Sequence, residues 1–239
     1  MKNQYFGDIH DYLKYTVLRV LAAFCCKPML VVWMLTPDDR STDGGKREYL
    51  DRRHPDAHRW SSLDPRLYSC LACLDRWGCT RTVEHVEKHA LIHHARFFAN
   101  PVPKDRVERN GAWIDSLVQH AKSCSLIFLD PDNGIEVHSV PKGRKRSEKY
   151  VYWNELECLW KKGKSILVYQ HFPREDRTAF IRRITDKMRS RFHGSRVEAY
   201  QTKHVLFLWA IQNTCILSIE NVLVSMKRLE PEVQYIKTP

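Results

Sequence analysis

The sequence has no apolar segment long enough to cross a lipid bilayer. Its longest uninterrupted apolar runs, among them Met29 to Leu35, have seven residues, whereas a membrane-spanning helix needs about 20. The first residues, MKNQYFGDIHDYLKY, carry acidic side chains and lack the apolar core of a secretory signal. Internal repeats and low-complexity linkers are also missing. We therefore predict a cytoplasmic protein that makes no membrane contact.

The composition predicts a folded chain with one hydrophobic core. Of its 239 residues, 43% are hydrophobic and 11% are aromatic, and such contents are typical of globular chains and not of disordered ones. A chain of this length can bury one substantial core, and length alone favours one domain over two. We predict a single domain over residues 1–239.

The chain has eight cysteines. Several lie in apolar stretches, as Cys124 does in SCSLIFLD and Cys215 in TCILSI. In a chain of this size without a signal peptide, free buried thiols are favoured over a disulfide framework.

The chain is strongly basic, with a formal net charge of +11. A basic surface can serve solubility alone. However, lysines and arginines that cluster favour a polyanionic partner, because they displace counterions from phosphates. One cluster lies in the range 174–191. The other, which we predict to contact nucleic acid, consists of Lys142, Arg144, Lys145, Arg146 and Lys149.

The hydrophobic pattern alternates between strands and helices. Continuous apolar runs at 29–35, 125–129 and 165–169 are typical of strands buried on both faces of a parallel sheet. Two further strands, 196–200 and 205–211, are too close in sequence for a crossover helix, so they predict an antiparallel hairpin. The predicted fold is therefore α/β, a Rossmann-like three-layer sandwich whose mostly parallel sheet ends in a C-terminal antiparallel hairpin. Helices are predicted at 9–24, 64–77, 80–93, 105–122, 152–161 and 174–191, and a short strand at 95–99.

Polar residues follow each of the three buried strands. Ligands of open parallel sheets bind outside the carboxyl ends of the strands, so the loops 36–45, 130–137 and 170–176 are the predicted site. The segment DPDNG is also a good type I turn, which leaves a purely structural role open for 131–134. The polar side chains that these loops bring to one edge are Asp38, Asp39, Asp43, Asp130, Asp132, Glu136 and His171.

Three segments resemble a known family in their order along the chain. The stretch Gly7 to Tyr15, GDIHDYLKY, resembles the N-terminal motif of the large-subunit ribosomal RNA adenine-N6 methyltransferases. Residues 27–30, KPML, fall where that family begins its first strand. Residues 130–133, DPDN, fall where it has Asp-Pro-Pro-Tyr. A closing antiparallel hairpin is also typical of class I methyltransferases.

The resemblance implies S-adenosylmethionine as cofactor, nucleic acid as partner and a nucleobase amine as target. In such enzymes the first Asp and the Pro carbonyl of the motif accept hydrogen bonds from the amine of a flipped base. Carried over, the catalytic candidates are Asp130, Pro131, Asp132, Asn133 and His171. The candidates for the cofactor side of the cleft are Lys14, Asp38, Asp39, Asp43 and Gly44.

Other interpretations of the same residues stay open. Strand-end carboxylates suit Mg²⁺, so a magnesium-dependent nuclease or phosphodiesterase is one alternative, and a non-catalytic nucleic-acid-binding protein is another. Cys70, Cys73, His85 and His89 approximate a zinc finger whose central interval is one residue short. They fit equally well on the faces of two successive helices, and we assign no metal ligand. The sequence leaves the choice of DNA or RNA and the oligomeric state open.

Overall fold

The computed structural model of the protein describes residues 1–39, 41–213 and 218–237. Its strands are β1 Met29–Val32, β2 Ala95–Phe98, β3 Leu126–Leu129, β4 Gly134–Ile135, β5 Tyr150–Val151, β6 Ser165–His171, β7 Arg196–Gln201, β8 Val205–Ile211 and β9 Gln234–Ile236. Its helices are α1 Ile9–Ala23, α2 Ala57–Leu63, α3 Pro65–Arg76, α4 Glu84–Lys88, α5 Arg106–Glu108, α6 Ile114–Ala121, α7 Trp153–Lys161, α8 Arg177–Arg191 and α9 Ile219–Lys227. Within the described ranges, every helix is too short or too polar to span a bilayer.

The described strands form a central sheet of seven strands in the order β2-β1-β3-β6-β8-β7-β9, while β4 and β5 pair separately. The pairs β2–β1, β1–β3 and β3–β6 are parallel. The pairs β6–β8, β8–β7 and β7–β9 are antiparallel. The predicted hairpin is present as β7 and β8, and the three predicted parallel strands are neighbours. The sheet does not end in this hairpin, however, because β9 pairs with β7 beyond it.

The hairpin folds back so that its second strand lies inside the sheet. All seven residues of β8 are buried, and its apolar sequence VLFLWAI suits a strand that is covered on both faces. β7 is more polar, since it begins with the exposed Arg196 and carries Glu198. It lies nearer to the edge of the sheet than β8 does, between β8 and β9.

Helices cover both faces of the sheet, which gives the predicted α/β sandwich. Side chains of β1 alternate between two cores: Val31 lies on the face covered by α1, α3 and α9, and Leu30 on the face covered by α6, α7 and α8. This alternation follows from the two-residue period of a strand.

α1 carries one wall of the later site, and its start is fixed by Asp8. The Asp8 carboxylate accepts a hydrogen bond from the backbone N–H of His10 at 2.8 Å, an N-cap of the kind that contributes about 1 kcal/mol. Its other oxygen accepts the backbone N–H of Lys46 at 3.0 Å. Asp8 thus joins the start of the helix to the loop that follows β1.

Three predicted helices differ from the structure in extent. The range 80–93 holds only the short α4, because Val83 is tied by its backbone N–H to the Asn3 side chain and Ala90 has a positive φ of 47°. The range 105–122 is helical but interrupted by a π-helical turn, Arg109–Trp113, with a kink at Gly111. The predicted helix 174–191 is α8, and it begins at Arg177 and not at 174, since Asp176 caps it.

Some elements were not predicted from the sequence. These are α2, α9, β9 and the small β4–β5 sheet. Cys26, Cys70, Cys73, Cys79, Cys124 and Cys158 carry free thiols. The prediction of free thiols is therefore confirmed for these six cysteines. The prediction that they are buried is confirmed for Cys124 and wrong for the other five. Cys215 lies outside the described residues.

Candidate functional site

A cleft of about 580 Å³ opens at the carboxyl edge of the sheet. It lies between the ends of β3 and β6, the N-terminal segment, the start of α1, residues 39 and 42–46 after β1, and the β7–β8 turn. Its volume is within the usual range for small-molecule sites. Most residues that the sequence singled out line it: Lys14, Asp39, Asp43, Gly44, Asp130, Pro131, Asp132, Asn133, Lys149 and His171. Asp38 is outside the lining, and its carboxylate accepts the backbone N–H of Gln4 at 3.1 Å.

Lys14 is the central cation of the cleft. Its ammonium donates hydrogen bonds to Asp11 Oδ1 at 2.8 Å and to Asp130 Oδ2 at 2.7 Å. It also lies 4.5 Å from the centre of the Tyr169 ring. The Tyr15 hydroxyl donates to the second oxygen of Asp11 at 2.8 Å. The floor of the cleft is therefore a buried ion network of one lysine between two carboxylates.

Burial and the neighbouring charges shift the titration of this network. Burial alone would lower the pKa of Lys14, but the carboxylates of Asp11 and Asp130 raise it above its usual value. Burial raises the pKa of Asp11 to about 6, and the charge of Asp130 acts in the same direction against the opposing effect of Lys14. Lys14 therefore stays charged at neutral pH, and Asp11 is the group of the network that protonates under mildly acidic conditions.

Asp130 and Pro131 follow β3 and line the cleft. Its backbone N–H donates to the Val32 carbonyl at 3.0 Å, which fixes the residue at the strand end. Lys14 occupies Oδ2, but no described residue donates a hydrogen bond to Oδ1. No described residue donates to the Pro131 carbonyl either. A bound ligand with an N–H donor could therefore use both oxygens.

Asp132 is engaged by cationic and neutral donors. The α-amino group of Met1 lies 2.6 Å from Oδ1, and the Thr36 hydroxyl donates to Oδ2 at 2.7 Å. Burial would raise the pKa of the Asp132 carboxyl, but these partners lower it overall. Lys149 contributes at a longer distance, 3.9 Å from Oδ2.

The turn after β3 is held to β6 by Gln170. The Gln170 side chain accepts the backbone N–H of Ile135 at 2.7 Å and donates to the Asn133 carbonyl at 3.4 Å. Gly134 has a φ of +109°, and a Cβ there would lie 2.3 Å from the Gln170 amide nitrogen. Only glycine fits this position, so DPDNG does more here than a simple surface turn requires.

His171 ends β6 at the edge of the cleft, where its ring meets the edge of Tyr169 at a centroid distance of 5.4 Å. Part of the imidazole is open to solvent, but the cleft walls displace water from the rest. This loss of hydration lowers the pKa of His171 to about 4, against the opposing effect of Asp130. The imidazole is therefore neutral at pH 7, with a lone pair available to accept a proton.

The N-terminal segment and the loop after β1 form the opposite wall. Lys2 forms an ion pair with Asp39, and the Gln4 amide donates to the Asp43 carbonyl at 3.2 Å. Gly44 has a φ of +83°, and a Cβ there would lie 2.6 Å from the Gln4 carbonyl oxygen. Asp39 is thus engaged by Lys2, whereas Asp43 is exposed beside Gly44 in the lining.

The basic loop 142–149 divides into an anchor and an exposed part. Lys142 is anchored, since its side chain is only 8% exposed and forms an ion pair with Glu155 at 2.9 Å. Arg109 forms a second buried pair with Glu155 at 2.7 Å and donates to the carbonyls of Ser147 and Tyr150 at 2.9 and 2.6 Å.

The exposed part of the loop carries its charge outward. Arg144, Lys145 and Arg146 are exposed and form no ion pair with a described residue. Lys149 belongs to the cleft lining. Of the five predicted nucleic-acid contacts, these four remain on the surface or in the cleft, whereas Lys142 stabilises the loop from inside.

The structure does not assemble the alternative metal sites. Among residues 1–39, 41–213 and 218–237, no group of three or more His, Cys, Asp or Glu side chains is arranged to hold a metal ion. The His85 and His89 rings lie side by side at 5.5 Å, but Cys70 and Cys73 do not complete a site with them. The same finding applies to the carboxylates at the strand ends, which face Lys14 and the Met1 amine.

Several cleft residues were missed in the sequence. Asp11 could have been found, because it stands three positions before Lys14 on a helix and so on the same side. Tyr169 could also have been found, since it stands two positions before His171 on a strand, and side chains two positions apart lie on the same face. His10, Lys46 and His204 come from elements whose meeting depends on the tertiary fold, and no local signal marks them.

Comparison with family models, with curated proteins and with solved structures finds no match to this chain.

Proposed function

We propose that the cleft is the active site of an S-adenosylmethionine-dependent methyltransferase that acts on nucleic acid, with the N6 amine of adenine as its target. The observation that carries the proposal is the pair of free acceptors at the cleft floor. Asp130 and Pro131 follow one another in the cleft lining, and no described residue donates to Asp130 Oδ1 or to the Pro131 carbonyl. An exocyclic amine has two N–H groups, which is the donor set that these two oxygens match.

The ion pair with Lys14 prepares Asp130 for this role. Because the ammonium donates to Oδ2 at 2.7 Å, it restrains the carboxylate and leaves Oδ1 as the acceptor for a ligand. Hydrogen bonds to both N–H groups of an amine would orient its nitrogen lone pair away from the acceptors and towards the open cleft. The contribution of these residues is orientation, which can account for a large part of a rate enhancement.

The amine must lose a proton when its nitrogen gains a methyl group. His171 lines the same cleft, and its lowered pKa of about 4 leaves it neutral at pH 7. We assign to it the role of proton acceptor, directly or through one water molecule.

The lining fits the cofactor. S-adenosylmethionine carries a carboxylate, an amine and a sulfonium, and when bound it would supply an electrophilic methyl group. The cleft offers cationic and anionic side chains together, among them Lys46, Asp43 and Lys149. Asp43 and Gly44 would hold the cofactor side. In this chain the loop after β1 reads Thr36-Pro37-Asp38-Asp39 where methyltransferases have a glycine-rich loop, and Asn133 replaces the stacking aromatic residue.

The topology and the surface charge support the proposal. An antiparallel strand next to the last parallel strand, as β8 is here, closes the sheet of class I methyltransferases. The exposed cations of Arg144, Lys145 and Arg146 lie on the loop that also brings Lys149 to the cleft, where they would contact phosphates flanking the target base.

The test combines calorimetry with methyl transfer. We expect S-adenosylmethionine to bind, and tritium-labelled methyl groups to pass to single-stranded adenine-containing RNA or DNA. Asp43→Asn should weaken cofactor binding, whereas Asp115→Asn, an exposed acid on α6, should leave it unchanged. Binding of Mg²⁺ without binding of S-adenosylmethionine would contradict the proposal and favour the metal-dependent phosphodiesterase.

A further inference from the structure

Positive charge gathers at one side of the cleft mouth, around the turn between β7 and β8. His204 on this turn lines the cleft, and its ring meets the edge of the His10 ring at a centroid distance of 5.0 Å. The charges of Lys46, Arg177 and Lys203 all act on the His204 imidazole. These cations come from three separate segments: the loop after β1, the first turn of α8 and the hairpin turn itself.

Arg177 is held in place at this turn. Its Nη2 donates a hydrogen bond to the Lys203 carbonyl at 2.8 Å. Its guanidinium also lies 4.8 Å from the centre of the Phe172 ring. Such a stacked guanidinium is preorganised, and it keeps further N–H donors for a ligand.

The three cations around His204 outnumber the acid that acts on the same imidazole. Within the described residues, Lys46, Arg177 and Lys203 form no ion pair. Asp8 is the acid among the strongest influences on His204. Its two oxygens already accept the backbone N–H groups of His10 and Lys46 at 2.8 and 3.0 Å. Three cations therefore face one acid at this turn, and the excess of positive charge beside the cleft attracts an anion.

We propose that Lys46, Arg177, Lys203 and His204 form a phosphate-binding subsite at the mouth of the cleft. Its ligand is a phosphate of the nucleic-acid strand next to the base that enters the cleft. This inference extends the proposed function, but the subsite itself needs only a phosphate group and not the cofactor. A guanidinium, two ammonium groups and an imidazole that converge from separate segments suit a tetrahedral oxyanion with several acceptor oxygens.

The imidazole of His204 provides a direct probe of occupancy. Burial lowers the pKa of His204, and the three cations lower it further, whereas Asp8 acts against them. His10 lies beside it, and burial likewise lowers the pKa of His10. A phosphate bound among the cations would favour the charged form of His204 and raise its pKa by about one unit.

The experiment is a histidine NMR titration of the full chain with inorganic phosphate, with ionic strength held constant by sodium chloride so that screening does not change. His204 is assigned from the spectrum of His204→Gln. We expect phosphate to raise the pKa of His204, and the exposed His58 and His193 to serve as internal controls that do not respond.

A double variant tests the cations. Arg177→Ala combined with Lys203→Ala should abolish the phosphate-dependent rise. The charge-matched control is Lys161→Ala combined with Lys162→Ala, two exposed lysines that precede β6 at the opposite edge of the sheet, and it should keep the rise. The subsite would be overturned if phosphate raised the pKa values of His204, His58 and His193 equally in the wild type. It would also be overturned if the pKa of His204 rose fully in the Arg177/Lys203 variant.

The same titration with a short single-stranded oligonucleotide separates this inference from the proposed function. If His204 responds but S-adenosylmethionine does not bind, the subsite stands and the methyltransferase proposal fails. If methyl transfer occurs but neither phosphate nor the oligonucleotide changes the pKa of His204, the methyltransferase proposal stands and the subsite is wrong.

Discussion

The ammonium of Lys14 lies 2.7 Å from Oδ2 of Asp130, although 116 positions separate the two residues in the sequence. Both side chains are 3% exposed. The contact joins the first helix to the end of β3, and it places a buried cation directly behind the group that we propose holds the substrate. The stability of the cleft and its chemistry therefore depend on the same ion pair.

Removing the cation should destabilise the fold strongly. Lys14→Met keeps an unbranched apolar stem but leaves the carboxylates of Asp11 and Asp130 buried without a counter-charge. Breaking a buried pair in this way costs about 3–5 kcal/mol. Urea unfolding followed by circular dichroism measures the loss. Lys161→Met, on the exposed end of α7, is the control and should change stability by less than about 0.5 kcal/mol. A loss of similar size in both variants would show that the network carries no special stability.

The titration of His171 should be displaced to acidic pH. Its pKa in the folded chain is lowered from 6.5 to about 4, so folding disfavours the protonated imidazole. The stability linked to this group is therefore complete above pH 6.5 and is lost as the pH falls from 6.5 towards 4. Histidine NMR measures the pKa directly, with assignment from His171→Gln. A midpoint near 6.5 would contradict the described environment and remove the argument that His171 is a neutral proton acceptor.

The exposed part of the basic loop should set the salt dependence of nucleic-acid binding. Replacing Arg144, Lys145 and Arg146 together by Ala should lower the slope of log K against log salt by up to about three units. Fluorescence anisotropy with a labelled oligonucleotide at several salt concentrations gives this slope.

Two controls accompany this measurement. Lys122, Lys161 and Lys162 are exposed at the opposite edge of the sheet, and their triple Ala variant should leave the slope near the wild-type value. Lys142→Ala should also leave it nearly unchanged, because Lys142 pairs with Glu155. If the loop variant keeps the wild-type slope, phosphates are contacted elsewhere.

The strands were predictable because their pattern is local. A continuous apolar run such as SLIFL is typical of a strand that is buried on both faces. Helical segments between such runs predict parallel neighbours, whereas the equally buried β8 is antiparallel because only a short turn separates it from β7. Because ligands bind at the carboxyl edge of such a sheet, the sequence alone predicted that Asp130 and His171 lie at one edge, and both line the cleft. The extents of the helices were less predictable, since tertiary contacts such as that of Val83 with Asn3 decide where 80–93 is helical.

The electrostatics of the site were less predictable than its position. The sequence shows that Lys14 and Asp130 are charged, but not that they pair. The sequence shows five cationic residues in 142–149, but not that Lys142 forms an ion pair with Glu155. Pairing depends on which helix packs on which strand end, and this information is spread over the whole chain. The sequence therefore predicted where the cleft lies better than it predicted which of its charges are free.

The central claim is that Asp130 Oδ1 holds the target amine, and methyl transfer by Asp130 variants tests it most directly. Asp130→Asn keeps an oxygen acceptor and should retain measurable activity, whereas Asp130→Ala should lose about 10²-fold or more in kcat/KM. Both variants should stay folded, because Lys14 keeps its pair with Asp11, and both should bind S-adenosylmethionine with nearly wild-type affinity. Asp115→Ala is the matched control. The account predicts the order wild type, Asn, Ala with unchanged cofactor binding, and full activity of Asp130→Ala would contradict it.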